Sequence, residues 1–96
     1  MTYTIFWSTE AELSYLKILE YLEEKWTQRE LVRFINRTDE VMEYIKKSPF
    51  QYQKIKTNTH KVILNRQISL FYKIEHSTIF LHYFWDNRQD PEKLKL

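Results

Sequence analysis

The 96-residue sequence predicts one α+β domain over residues 1–96, in which a helical hairpin covers one face of an antiparallel sheet. Two patterns carry this prediction. Apolar residues recur every three or four positions in the first half of the chain, which is typical of amphipathic helices. In the second half they recur at every second position, which is typical of strands. The predicted order of elements is β-α-α-β-β-β.

The composition excludes several classes of protein. Hydrophobic residues make up 43% of the chain and aromatic residues 17%, which argues against disorder. The sequence contains no cysteine, which excludes a disulfide scaffold, a zinc–thiolate site and thiol catalysis. It also contains no glycine, which excludes glycine-rich phosphate loops and the nucleophile elbow. Because no membrane-spanning run or signal peptide is apparent, we expect a cytoplasmic protein that does not associate with membranes.

The chain opens with a predicted strand and a predicted helix. Residues 3–7 are β-branched and aromatic, as strands prefer. Thr9 and Glu12 have the spacing of a capping box, in which each side chain bonds the backbone of the other residue. An apolar stripe then predicts a helix over residues 10–26.

A second helix is predicted over residues 28–47. Thr27 and Glu30 repeat the capping-box spacing before it, and Pro49 favours its end because the residue before a proline avoids helical geometry. The connection to the first helix is short, which predicts an antiparallel pair.

The second half predicts three strands. The first covers residues 60–64 and leads into a tight turn at Asn65, which we expect to adopt the left-handed conformation. The second covers residues 68–74 and the third residues 79–85. The third strand is apolar on both faces, which predicts an interior position in the sheet.

Strict alternation predicts the orientation of the side chains in the third strand. It sets Tyr83 and Trp85 on the face of Ile79 and Leu81, with Phe84 on the opposite face. Six aromatic residues are expected in the core: Trp7, Tyr15, Trp26, Phe34, Tyr44 and Trp85.

Charge is distributed unevenly along the chain. Residues 1–50 hold 7 basic and 9 acidic side chains, whereas residues 51–96 hold 8 basic and 4 acidic ones. Residues 51–74 are basic without an acid. This stretch is consistent with an anionic partner or with an ordinary solvated face.

The order of elements and several local motifs resemble the RelE/ParE superfamily of toxins from type II toxin–antitoxin systems. The opening strand with Ser8-Thr9-Glu10-Ala11, the amphipathic helix pair and the strand at 68–74 all fit this pattern. The most specific piece is Phe-Trp-Asp-Asn-Arg-Gln-Asp-Pro at 84–91, which resembles the ending of ParE-like, plasmid-stabilisation members.

The resemblance implies a growth-inhibiting toxin that a cognate antitoxin neutralises, with operator DNA contacted only through the antitoxin. RelE-like members cut messenger RNA on the ribosome, whereas ParE-like members poison DNA gyrase without being nucleases. A third possibility is a degenerate member that retains only antitoxin and operator binding. No cofactor is implied.

A metal-free nuclease needs a base, an acid and a group that stabilises the phosphorane. The resemblance assigns Arg88 to the family's arginine after the last strand, and Lys54 and Lys56 to its lysines before the second strand. His60 would supply acid–base chemistry, with His76 and His82 as alternatives.

The sequence departs from the RelE-like pattern at two positions. Ser69 occupies the place of an arginine early in the third strand, and Leu94 the place of a tyrosine near the C-terminus. These departures favour the ParE-like alternative, in which the protein binds its target and is not an enzyme.

Five further residues are predicted to contact the target or the antitoxin: Lys61, Arg66, Lys73, Tyr72 and His82. Simpler roles stay open at this stage. Arg88 can pair with Asp86 or Asp90, His82 can be a hydrogen-bonded residue of the sheet, and His60 can be a solvated edge residue. No His, Asp and Glu spacing suits a metal ion, so no metal is predicted.

Overall fold

The computed structural model describes residues 2–88. Its elements are β1 (Thr4–Trp7), α1 (Thr9–Lys25), α2 (Gln28–Lys47), a 3-10 turn (Pro49–Gln51), β2 (Gln53–Lys56), β3 (Thr59–Ile63), β4 (Ile68–Glu75) and β5 (Thr78–Asp86). The strands form one sheet in the order β1-β5-β4-β3-β2. The predicted α+β class, with two helices packed on a sheet, is confirmed.

The sheet differs from the prediction in two respects. β1 pairs with β5 in parallel, so the sheet is mixed and not wholly antiparallel. In addition, Gln53–Lys56 is an edge strand that precedes the three strands predicted for the second half. Its side chains are mostly polar, so apolar periodicity does not predict the strand. An edge strand needs few apolar residues. Asn58, at φ 59°, makes the tight turn into β3.

The N-caps of the two helices are both serine or threonine. Ser8 caps α1, and its Oγ accepts a hydrogen bond from the Ala11 amide at 2.9 Å, so the predicted box of Thr9 with Glu12 is wrong. The predicted box of Thr27 with Glu30 is confirmed, with both reciprocal bonds at 3.1 Å. The second helix ends before the 3-10 turn, as predicted.

The core lies between the helices and the sheet face that they cover. Its fully buried members include Leu22, Val41, Ile45, Leu70 and Ile79. Each buried side chain of this size contributes about 1.5–3 kcal/mol relative to an exposed one. Within residues 2–88, no helix is both long enough and apolar enough to cross a membrane.

A β-bulge in β5 changes which side chains enter the core. Tyr72 lies opposite Leu81 and Phe71 opposite Tyr83, so His82 has no partner across β4. The extra residue turns Phe84 onto the helix-covered face, where it joins the core cluster. The strict alternation predicted beyond Leu81 is therefore wrong.

Two of the six aromatic residues expected in the core lie outside it. Trp85 is half-buried and turned away from the helices by the bulge in β5. Tyr44 is 45% exposed, and its hydroxyl donates to Glu40 Oε1 at 3.1 Å. The helical spacing of Tyr44 puts it beside the buried stripe but not on it.

The turn between β3 and β4 also differs from the prediction. Asn65 does not adopt the left-handed conformation; positive φ occurs at Asn58 and His76. Instead, Asn65 Oδ1 accepts hydrogen bonds from the amides of Gln67 and Ile68, both at 2.8 Å. The amides of Leu64 and Asn65 also donate to the Ile68 carbonyl oxygen, at 2.9 and 3.3 Å. The side chain therefore reinforces the backbone bonds of this turn, and no residue here has positive φ.

Candidate functional site

The sheet face turned away from the helices, here named the outer face, is rich in aromatic rings and carries several lysines. The rings of Phe71 and Tyr83 have centroids 5.4 Å apart, and those of Tyr83 and Trp85 lie 6.4 Å apart. Lys61 lies opposite Phe71, and Lys73 lies on the same face two residues along β4. Both lysines were predicted to bind the target or antitoxin, and both lie on the surface of the sheet that no helix covers.

A groove of about 760 Å³ runs between α1 and the C-terminal half of β5. β1 ends opposite Leu81, so α1 takes the place of a neighbouring strand beyond that point. Ser14 Oγ accepts a hydrogen bond from the Phe84 amide at 2.9 Å and fixes the helix there. Leu13, Trp85 and Arg88 are among the residues that line the groove, and Leu13 is 55% exposed.

Arg88 is held at one end of this groove. Its Nε and Nη2 donate to the two oxygens of Asp86 at 3.1 and 2.8 Å, and its amide donates to Oδ1 at 2.9 Å. The guanidinium lies 4.7 Å from the ring centroid of Tyr21. These hydrogen bonds lower the pKa of Asp86. The Arg88 side chain is still 47% exposed, so it can bind a second anionic group. Asp90, the other predicted partner, lies outside the described residues.

His60 belongs to the core. Its side chain is 3% exposed, its ring stacks on Tyr72 at 5.4 Å, and its Nδ1 lies 3.1 Å from the carbonyl oxygen of Tyr52. The ring therefore faces the helix-covered side and not solvent. His60 is therefore not a solvated edge residue, the simpler role that the sequence left open.

Lys54 and Lys56 point to opposite sides of β2. Lys54 lies opposite His60, whereas an irregularity at the intervening Ile55 sets Lys56 opposite Thr59. Residues directly opposite each other share a face, so Lys54 lies on the helix-covered side of this edge and Lys56 on the outer side.

The four residues proposed for catalysis do not form one cluster. Lys54, His60, Tyr72 and Leu81 lie in one row across the sheet. β5 continues from Leu81 to Asp86, about 15 Å along the strand, and Arg88 lies two residues beyond its end. Arg88 is also separated from β2 by three strand spacings, at about 4.8 Å each.

Of the three histidines, His82 has the surroundings that best suit acid–base chemistry. It is the unpaired residue of the bulge and is half-buried, with its ring centroid 4.5 Å from that of Tyr83. Burial lowers its pKa, and Lys73 and Lys56 lower it further, while Glu10 acts in the opposite direction. His82 is therefore neutral at pH 7. His76 lies in the exposed β4–β5 turn.

Two of the predicted binding residues lie elsewhere. Tyr72 is fully buried, and its hydroxyl donates to the Pro49 carbonyl oxygen at 2.6 Å, so it cannot contact a partner. Burial also raises its pKa. Arg66 lies in the β3–β4 loop beside α2, where it lines a second cavity.

Sequence reasoning missed the contribution of α1 to the groove. Leu13 and Tyr21 lie outside the buried stripe of the helix, and Leu16 is likewise 55% exposed. Apolar residues off the stripe were the available signal. Within residues 2–88, no three His, Asp or Glu side chains cluster closely enough to hold a metal ion.

Solved structures of other proteins share this fold. A chromosomal ParDE toxin–antitoxin system from P. aeruginosa matches with a TM-score of 0.71 at 10% identity, over 88% of this chain and 96% of that one. This chain has the RelE/ParE fold. A YoeB/ParE toxin from Agrobacterium tumefaciens gives 0.63 at 11% identity, over 86% and 96%. The RelBE2 toxin–antitoxin complex from Mycobacterium tuberculosis gives 0.52 at 18% identity, over 90% and 99%.

The resemblance to the RelE/ParE superfamily is thus confirmed at the level of the fold. No model of a protein family matches the sequence. No curated protein matches it either.

Ser69 is one of the two positions at which the sequence departs from the RelE-like pattern. Ser69 is fully buried between Ile63 and Trp85, and its Oγ donates to Asn87 Oδ1 at 3.1 Å. The position that the resemblance assigns to an arginine thus holds a neutral side chain among mostly apolar neighbours. Leu94, the other departure, lies outside the described residues.

Proposed function

We propose that this protein is the toxin of a type II toxin–antitoxin system and acts in the ParE-like manner. It would arrest growth in the cytoplasm by binding an essential target, DNA gyrase, without cutting RNA. Its fold, shared with a ParDE system, a YoeB/ParE toxin and a RelBE2 complex, supports the assignment to toxins.

The separation of Arg88 from Lys54, Lys56 and His60 carries the preference for binding over cleavage. RNA cleavage needs a base and a phosphorane-stabilising group within hydrogen-bond reach of the same phosphate. Arg88 is bonded to Asp86, and His60 is buried against Tyr72. Binding a protein target requires no such cluster.

The groove between α1 and β5 suits a cognate antitoxin. Tyrosine, tryptophan and arginine dominate protein interfaces, and the groove offers Tyr21, Trp85 and Arg88 together with the exposed Leu13. An amphipathic, acidic antitoxin segment would bury its apolar side chains here and direct a carboxylate to the exposed edge of Arg88. Lys61 and Lys73 would add attraction for the same acidic chain.

The test combines growth with gyrase activity. The protein is induced in a bacterial host with and without the product of the neighbouring gene, and the purified protein is added to a gyrase supercoiling assay. We expect growth arrest, loss of supercoiling, and rescue by the neighbouring product. Trp85→Ala should weaken the rescue, whereas Phe50→Ala, which changes an exposed aromatic side chain outside the groove, should not.

Each contrary outcome removes a defined part of the proposal. Unaffected growth would contradict toxicity and indicate a degenerate member. Growth arrest with full supercoiling activity would contradict gyrase as the target. Rescue that Trp85→Ala leaves unchanged would contradict the groove as the antitoxin site.

One observation favours a second candidate, an endoribonuclease that acts with the ribosome. His82 is neutral at pH 7 and lies close enough to Lys73 and Lys56 for their charges to lower its pKa. A neutral histidine can take the 2′-hydroxyl proton while lysines stabilise the phosphorane. In that case His82, and not His60, would be the catalytic base.

A further inference from the structure

A second cavity, of about 370 Å³, lies between the start of α2 and the β3–β4 loop. Three arginines line it: Arg33 and Arg37 from α2, and Arg66 from the loop. Trp26, in the two-residue connection between the helices, forms part of its wall. It shares no lining residue with the groove between α1 and β5.

Three guanidinium groups line the cavity against one carboxylate, that of Glu30, so positive charge is in excess. Within residues 2–88 the ion pairs join Lys46 to Glu43 and Arg88 to Asp86, so none involves this cavity. Glu30 also lines it, but its Oε1 accepts bonds from the amide and hydroxyl of Thr27. Arg33 and Arg37 are one helical turn apart, a spacing at which like charges destabilise a helix.

The apolar side of the cavity consists of packed side chains and a hydrogen-bonded loop. Phe34 and Leu64 are 3% and 4% exposed and form its apolar side. The ring of Trp26 stands edge-on to Phe34, with centroids 6.1 Å apart. Asn65 fixes the loop through its two bonds to backbone amides. These contacts fix the apolar side of the cavity, and Arg33 and Arg66 are exposed beside it.

Gln67 shows that the polar groups of the cavity are incompletely satisfied. Among the buried side-chain N and O atoms of residues 2–88, Gln67 Oε1 alone lacks a hydrogen-bond partner. A buried acceptor left unpaired costs about 1–3 kcal/mol. Rotation of this amide toward a ligand N–H would remove that cost.

We propose that this cavity binds a nucleoside monophosphate group, either as a free nucleotide or as the terminal nucleotide of a single strand. Guanidinium groups bind phosphate with paired hydrogen bonds, and Arg33, Arg37 and Arg66 provide three of them. Trp26 offers an aromatic surface for a base, and Gln67 offers an amide for its edge. The volume lies within the range of small-ligand sites. An acidic peptide would pair with the arginines but would leave Trp26 and Gln67 without a role.

The test measures binding to the full chain by isothermal titration calorimetry and by the amide resonances of Gln67. The probes are adenosine monophosphate, adenosine, inorganic phosphate, a 5′-phosphorylated oligonucleotide and an oligoglutamate peptide. We expect the monophosphate to bind at least ten-fold more tightly than adenosine or phosphate and to shift the Gln67 side-chain resonances. Arg33→Ala with Arg37→Ala should weaken it at least ten-fold. Arg29→Ala, on the same helix but outside the cavity, should not.

The outcomes separate the sources of the ligand and the alternatives. Equal binding of the monophosphate and the oligonucleotide supports a free nucleotide, and tighter binding of the oligonucleotide supports a strand terminus. Trp26→Phe keeps the aromatic packing and should retain binding, whereas Trp26→Leu should lose the advantage of the monophosphate over phosphate. Binding of oligoglutamate alone, equal binding of phosphate and monophosphate, or no effect of the arginine substitutions would overturn the proposal.

Discussion

Leu81 and Phe84 pack into the same core although three positions of one strand separate them. They are 0% and 2% exposed, respectively, and the bulge at His82 accounts for their shared face. Without the bulge, Phe84 would face the outer side, and Tyr83 and Trp85 would enter the core. The aromatic outer face and the wall of the groove both depend on this one extra residue.

The bulge predicts losses of stability of different size for two adjacent aromatic residues. Phe84 is stacked on Trp7 at 5.5 Å and contacts Tyr15 at 4.7 Å, so Phe84→Ala should lower the free energy of unfolding by about 3–5 kcal/mol. Trp85→Ala should cost about 1 kcal/mol, because Trp85 lies outside the core. Urea unfolding of the two variants measures both values, and the reverse order would contradict the bulge.

The buried hydroxyl of Tyr72 should stabilise the fold. Tyr72→Phe removes its bond to the Pro49 carbonyl and should lower the free energy of unfolding by about 1–2 kcal/mol. Tyr44→Phe is the matched control, because its hydroxyl bond to Glu40 is exposed and should contribute no more than about 0.5 kcal/mol. Equal losses in the two variants would show that burial does not strengthen this bond.

His82 should titrate below the ordinary histidine pKa of 6.5 in the folded protein. The unfolded chain then binds more protons below that pH, so the stability contributed by neutral His82 declines as pH falls below about 6.5. NMR titration should give the lowered pKa directly. The free energy of unfolding of the wild type relative to His82→Gln should fall over the same pH range and stay constant above it. A measured pKa at or above 6.5 would contradict the assigned environment.

The pair of Asp86 and Arg88 should produce a pH dependence at more acidic values. The folded pKa of Asp86 lies below the ordinary aspartate value of 3.8, so the stability from its charge is present above pH 3.8 and is lost as pH falls through the folded pKa. Asp86→Asn should lower the free energy of unfolding by about 1 kcal/mol at pH 7 and by progressively less near pH 3. Asp39→Asn, at an exposed position, is the control for the loss of one negative charge.

The periodic parts of the fold were predictable from the sequence. The two helices and the strands β3 to β5 follow apolar periodicity, and Thr27 with Glu30 marks the start of α2. The bulge at His82, the edge strand Gln53–Lys56 and the parallel pairing of β1 are set by contacts between distant residues. Local pattern contains no information about those contacts.

The candidate site was less predictable for the same reason. Lys54 and Lys56 are two positions apart, a spacing that sets both side chains on one face of a regular strand. The irregularity at Ile55 instead sets them on opposite faces. His60 lies in a basic stretch, yet its register opposite Tyr72 buries it. The pairing of Arg88 with Asp86 could be foreseen from the sequence, because those two residues are close neighbours in the chain.

The central claim is that this protein arrests growth by binding and not by cutting messenger RNA. The most direct test is to induce it without its antitoxin and to map RNA 5′ ends across the transcriptome, with Arg88→Ala and His82→Gln as controls. We predict growth arrest with no new 5′ ends inside translated codons. New ends in those codons that disappear in either variant would contradict the claim and establish ribosome-dependent cleavage.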